Sequence, residues 1–170
     1  MVSINKDLLN QMHIATKSSK IDISSEQKTE IISKKFSKYL KKGDIIFLFG
    51  EIGVGKTTFI KYLINYLQKK NNLTKTEVPS PTFNIINEYE INDLIIQHCD
   101  LFKLKNSKEI KNIGLFENYS SFINFVEWPE IIEEKPEKRI DLLFNYEDNL
   151  TKRGLIISST YKKELINEFR

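Results

Sequence analysis

Apolar residues occur along this chain in short blocks with two different periods. Asp44 to Phe49 is almost purely apolar, and Phe122 to Val126 is interrupted only by Asn124. Runs this short, bounded by polar residues, predict buried strands. Phe83 to Glu90 and Leu94 to Asp100 are rich in strand-forming residues and flank Asn92 and Asp93, which predicts a hairpin. Arg139 to Tyr146 and Gly154 to Ser159 predict two more strands, joined through Glu147 to Arg153. Helical spacing appears elsewhere. Phe59, Leu63, Tyr66 and Leu67 form one stripe within Thr58 to Lys70, and Ile31, Ile32, Phe36 and Leu40 form another behind a serine cap at Ser24 or Ser25. Shorter helical pieces are predicted in Lys105 to Ser120, broken at Gly114, then from Pro129 to Glu134 and from Lys162 to Phe169. Strands alternating with helices predict an α/β fold: a mainly parallel sheet with helices on both faces and an antiparallel hairpin insertion. Residues 1–20 are weakly patterned, with a helical turn conceivable at Asp7 to Met12. They are read as a mobile N-terminal extension to a domain spanning 21–170.

The junction between the first apolar run and the first striped helix carries the sharpest chemistry. Gly50, Gly55, Lys56 and Thr57 fit G-x-x-x-x-G-K-[ST], the P-loop, with Glu51, Ile52, Gly53 and Val54 between the two glycines and Thr58 after. A loop wrapped round a phosphate chain must bring backbone N–H groups close and adopt unusual φ values, which calls for glycine. Four of the six glycines, Gly43, Gly50, Gly53 and Gly55, fall in this one region. Lys56 is placed to reach the β- and γ-phosphates, Thr57 to ligate Mg²⁺, and the following helix to aim its first N–H groups at the anion. A P-loop NTPase is therefore the expected fold type.

Two later strands end in acids. Glu127 closes the run Phe122 to Val126, and an apolar strand ending in a carboxylate is the pattern that holds Mg²⁺ or orients an attacking water. Asp100 closes Leu94 to Cys99. It reads equally as a ligand-facing group at a strand end or as the cap of a following turn. Val78 to Phe83 contains two prolines, so it must be a stiff extended turn. Its Ser80 and Thr82 hydroxyls suit either a switch-like loop or a plain connection, the plain reading being favoured on these residues alone. Trp128 suits either a nucleotide cover or a core anchor, the core reading being slightly favoured. Lys152 or Arg153 could reach a nucleotide, although a surface charge is the simpler reading.

Composition narrows the classes. The chain has 170 residues and a net charge of +3, so no large electrostatic field favours nucleic acid. The lysines at 34, 35, 38, 41 and 42 read as a solvated helix face. One cysteine cannot make an internal disulfide and fits a reducing compartment. No apolar run is long enough to span a membrane, and Met1 to Lys20 lacks a secretory pattern, so a cytoplasmic protein is expected.

Four blocks stand in order: Gly50 to Thr58, Ser80 to Phe83, His98 to Leu104, and Glu127 to Glu130. Together they resemble the bacterial TsaE (YjeE) family over about residues 25–160. The resemblance implies the ATPase component of the machinery that makes N6-threonylcarbamoyladenosine in tRNA, weak alone and acting with the TsaD and TsaB proteins. It implies ATP and Mg²⁺ as cofactors, indirect contact with tRNA, and no DNA or membrane partner. By the same resemblance Gly50 to Thr58 bind the phosphates, Thr57 and Glu127 hold the metal, and Lys56, Asp100 and Glu127 serve catalysis. Glu26, Thr29, Trp128 and Lys152 lie by the nucleotide. The usual His-Phe-Asp-Leu-Tyr-Arg block reads His98 to Lys103 here, keeping the acid and the final charge but not the guanidinium fork. The rival readings are a small-molecule kinase and a non-hydrolysing ATP-binding module. Against a kinase, no arginine-rich lid is visible: outside the C-terminal residue the arginines are Arg139 and Arg153.

Overall fold

The computed structural model describes residues 16–148 and 150–170. One twisted sheet runs through the molecule. Its strands are β1 (Thr16–Lys17), β2 (Ile21–Asp22), β3 (Ile45–Phe49), β4 (Ile86–Ile91), β5 (Leu94–Asp100), β6 (Phe122–Glu127), β7 (Ile140–Glu147) and β8 (Lys152–Ser159), in the order β1-β8-β7-β3-β6-β5-β4, with β2 also on β8. The four central strands β7, β3, β6 and β5 are parallel. The β4–β5 and β7–β8 pairs flank them antiparallel. The P-loop strand β3 thus lies between β6 and β7, buried on both faces, which is why its sequence is apolar without alternation.

Alternation within each strand sorts the core into two layers. Ile46, Leu48, Ile123, Phe125, Leu142, Leu155 and Ile157 face α1 (Glu26–Ser37), α2 (Lys56–Lys70) and α4 (Lys163–Glu168). Ile45, Phe47, Phe49, Cys99 and Val126 face the other side, covered by α3 (Ser107–Asn112) and the turns after it. Phe59 of α2 meets Phe36 of α1 and Phe144 of β7 edge-on, with ring centroids 5.5 and 5.8 Å apart. These contacts fix α2, and so the phosphate loop ahead of it, against the sheet. Ser25 caps α1 by accepting from the Lys28 amide at 3.2 Å.

Several elements differ from the sequence reading. β4 starts at Ile86, because Phe83 to Ile85 turn back on the prolines: the Ile85 amide donates to the Pro81 carbonyl at 2.6 Å and Ile85 has φ +66°. The 105–120 stretch holds only the short α3 and a 3₁₀ turn at Tyr119–Ser121, parted where Gly114 takes φ +62°. Pro129–Ile131 is likewise a 3₁₀ turn. Within the stretch read as an extension, Thr16 and Lys17 pair with Ser159 and Ser158 on β8. The helical turn expected at Asp7 to Met12 lies outside the described residues. Among the described residues no helix is long and apolar enough to cross a membrane.

Candidate nucleotide-binding site

The loop from Gly50 to Gly55 leaves β3 at its C-terminal end and enters α2. Gly50, Gly53 and Gly55 have φ of +138°, +75° and +116°, conformations closed to most side chains. Gly55 stands at the cap position of α2 and offers no side-chain acceptor, so the first amides of the helix remain available to an anion. Val54 is buried beneath the loop, while Ile52 is exposed and its carbonyl accepts from the Tyr146 hydroxyl at 3.3 Å.

Lys56 folds over this loop. Its ammonium donates to the carbonyls of Gly50 at 2.7 Å and Glu51 at 3.0 Å, and lies 3.9 Å from the centre of the Trp128 ring. Burial pulls the Lys56 pKa down, and the charges of Glu127, Glu130 and Asp100 push it back up. The net direction is downward. Three carboxylates around one buried ammonium make a site whose balance an entering polyphosphate would change.

Thr57 and Glu127 meet across the β3–β6 seam. The Thr57 hydroxyl donates to Glu127 Oε1 at 2.7 Å. His98 Nε2 lies 2.9 Å from that same oxygen, and Glu127 is 3% exposed. Register explains the meeting: Leu48 of β3 pairs with Glu127, and Glu127 pairs with Asp100 of β5. His98, Asp100 and Glu127 therefore share the α2 face of the sheet.

Asp100 caps the turn that follows its strand, as one of its two sequence readings expects, and also binds a neighbouring loop. Its Oδ1 accepts from the Phe102 amide at 3.0 Å, stabilising the turn after β5. Its Oδ2 accepts from the Ser80 hydroxyl at 2.5 Å and the Thr82 hydroxyl at 3.2 Å. The proline-stiffened loop is thus clasped to the strand end beside Glu127, which a plain connection would not require.

Trp128 is half-buried and takes φ +59°, so its ring bridges core and site. It packs at a tilt against Phe102, with ring centroids 4.9 Å apart, while carrying Lys56 on its face. The core-anchor reading accounts for only one side of the ring.

Beside the loop is a cleft of about 190 Å³ lined by Ser25, Glu26, Thr29, Gly53, Val54, Gly55, Thr58 and Arg153. Glu26 accepts from the Tyr62 hydroxyl, which pushes that phenol up to about 12. The Thr29 hydroxyl donates to the Ser25 carbonyl at 3.1 Å, tying the α1 entry in place. Lys152 does not line this cleft: it is exposed and paired with Asp148 at 2.7 Å. Arg153 does. The reason is strand alternation: Arg153 shares the face of Leu155 and Ile157, toward α1 and α2, and Lys152 points the other way. Sequence alone leaves the choice open, because Leu155, Ile156 and Ile157 are all apolar and counting back by twos reaches Arg153 from the first and third but Lys152 from the second. Arg153→Ala is expected to weaken ATP-analogue binding about 10-fold, roughly the value of one charge-assisted contact. Lys152→Ala should match the parent chain. Paired titrations of the two variants check this.

Among the described residues no group of three or more His, Cys, Asp and Glu side chains could hold a metal alone. A hard cation such as Mg²⁺ needs only one or two protein oxygens and completes its shell with phosphate and water, and the Thr57–Glu127 oxygen pair is a hard donor set of that kind.

A family model described as threonylcarbamoyl adenosine biosynthesis protein TsaE matches residues 23–155. The chain belongs to the TsaE family. A TsaE protein of Rickettsia bellii is 40% identical over 111 residues, covering 65% of this chain and 74% of the relative. A TsaE protein of Bacillus subtilis is 34% identical over 119 residues, covering 69% and 71%. The crystal structure of Bacillus subtilis YdiB superposes with a TM-score of 0.72 at 25% identity, covering 92% of this chain and 96% of that one. The TsaE match spans every residue of the loop, the acid pair and the cleft, from Ser25 to Arg153.

Proposed function

We propose that this protein is a Mg²⁺-dependent ATP hydrolase required for threonylcarbamoyl modification of adenosine in tRNA, acting in the cytoplasm on a complex of the TsaB and TsaD proteins and meeting tRNA only through them. The observation that carries the reading is the convergence of Lys56, Thr57 and Glu127 at the end of the glycine loop. Family membership supplies the biological setting.

In the reaction, a water oxygen bonds to the γ-phosphorus, the bond to the β–γ bridging oxygen breaks, and ADP leaves with that electron pair. The loop amides and Lys56 stabilise negative charge on the leaving and transferred phosphates. Thr57 and Glu127 would hold Mg²⁺, which supplies further positive charge against the β- and γ-phosphates. Glu127 also orients the attacking water. Asp100 links the site to the Ser80–Thr82 loop, so that movement of the loop and occupancy of the site affect each other. Arg153, Glu26 and Thr29 border the nucleotide beyond the phosphates.

The test is phosphate release from ATP and from GTP with Mg²⁺, by the protein alone and with the TsaB–TsaD pair. ATP-selective turnover that rises with the pair is expected. Turnover indifferent to the pair but stimulated by a small hydroxyl or amine acceptor would make the protein a kinase and overturn the proposal. Nucleotide binding without turnover in either setting would make it a binding module.

A further inference from the structure

His98 is wholly buried, 0% exposed, with Nε2 2.9 Å from Glu127 Oε1. Nothing in the reaction above uses it. The other ring nitrogen, Nδ1, is also buried and has no hydrogen-bond partner among the described residues. A buried N–H without an acceptor is rarer than a buried lone pair without a donor, so the proton belongs on Nε2, directed at Glu127. Glu127 Oε1 therefore receives two donors, the Thr57 hydroxyl at 2.7 Å and His98 Nε2–H. Among the described residues no hydrogen bond reaches Oε2.

This arrangement fixes the rotation of the carboxylate. With one donor, a glutamate at a strand end can swing about its last torsion and exchange its oxygens. With a second donor from the neighbouring strand, Oε1 is held toward the protein and Oε2 is left for a cation or a water. The geometry is set by the sheet: His98 lies two residues before Asp100 on β5, and Asp100 is the register partner of Glu127 on β6. His98 and Asp100 thus lie on the same face of the sheet as Glu127, on the adjacent strand. Groups behind a metal-binding side chain commonly tune it in this way.

We propose that His98 is a positioning residue that orients the Glu127 carboxylate so that Oε2 is presented to Mg²⁺ and water. The proposal rests on the reading of Glu127 as the metal- and water-organising acid. A glutamine amide nitrogen reaches about as far from the backbone as histidine Nε2, and methionine has similar length with no donor. His98→Gln and His98→Met therefore separate donation from packing. His98→Asn keeps a donor but stops short of Glu127.

The readout is the Mg²⁺ midpoint at fixed ADP, followed by the fluorescence of Trp128, whose ring contacts Lys56. ADP titration in chelator and the kcat and KM for ATP accompany it. His98→Met is expected to raise the Mg²⁺ midpoint about 10-fold and lower kcat by a similar factor, with ADP affinity in chelator unchanged and KM little altered. His98→Gln should return both to near the parent value, and His98→Asn should follow methionine. A methionine or asparagine variant with the parent Mg²⁺ midpoint overturns the proposal. So does a glutamine variant that falls as far as methionine, since ring packing would then be the cause. If the methionine variant does not fold, asparagine against glutamine decides. If the parent chain does not hydrolyse ATP, the proposed function fails while the Mg²⁺ midpoint still decides the role of His98. A parent chain whose ADP affinity ignores Mg²⁺ overturns both.

Discussion

Glu127→Gln should reduce ATP turnover by two to three orders of magnitude, roughly 3–4 kcal/mol of transition-state stabilisation. The folded chain should barely change. A glutamine oxygen can still accept from Thr57 and His98, which hold Oε1 now. What disappears is the negative charge and the second carboxylate oxygen, replaced by an amide that cannot bind a cation or receive a proton. ADP binding should stay within a few-fold of the parent, because on the proposed function the phosphates would be held by the glycine loop and Lys56 rather than by Glu127. Phosphate release and an ADP titration on the same preparation check both halves. Turnover within tenfold of the parent would shift the organising role to Asp100, the register partner on β5.

Gly50→Ala should destabilise the protein itself, by about 3 kcal/mol or more, because strain and a backbone clash add. A Cβ at Gly50 would lie 2.5 Å from the Phe144 carbonyl oxygen and 3.0 Å from the Phe144 Cβ, at φ +138°. The obstacle is the backbone of a central strand, which cannot move aside without disturbing the β3–β7 pairing. For a chain of this size the loss corresponds to a fall in melting temperature of roughly 6–12 °C. Gly55→Ala provides the contrast: nothing lies within 4 Å of its Cβ position, so only the φ of +116° opposes it. It should lose nucleotide affinity with a much smaller thermal shift. Equal melting curves for the two variants would contradict this division. The sequence motif gives both glycines to the phosphate, whereas the packing gives Gly50 a second reason to lack a side chain.

The readable part of this protein is the part in which neighbours in sequence are neighbours in space. The run Asp44 to Phe49, the glycine loop and the stripe of α2 follow one another along the chain, and the chemistry of phosphate binding needs only that succession. The strand-end positions of Asp100 and Glu127 were legible for the same reason: an apolar run followed by an acid is a local pattern. So was the α/β class, since strand and helix periods alternate. Trp128 was only half legible, because its left-handed backbone and its place over Lys56 depend on the turn that leaves β6.

What only the tertiary structure decided is which strands lie side by side and in what register. The chain order does not say that β3 sits between β6 and β7, and without that the Thr57–Glu127 contact and the close approach of Gly50 to Phe144 cannot be anticipated. Pairing of β5 with β6 brings His98 to Glu127 across 29 residues of sequence, and the clasp of Ser80 and Thr82 on Asp100 spans 20 and 18. Arg153 replaced Lys152 because one step along a strand reverses the face a side chain occupies. The sequence by itself determined the phosphate loop and its two acids, because each is a short pattern with its own local physics. The fold decided how they are oriented and by which neighbours, because hydrogen bonds between strands are set by register, and register is a property of the whole sheet.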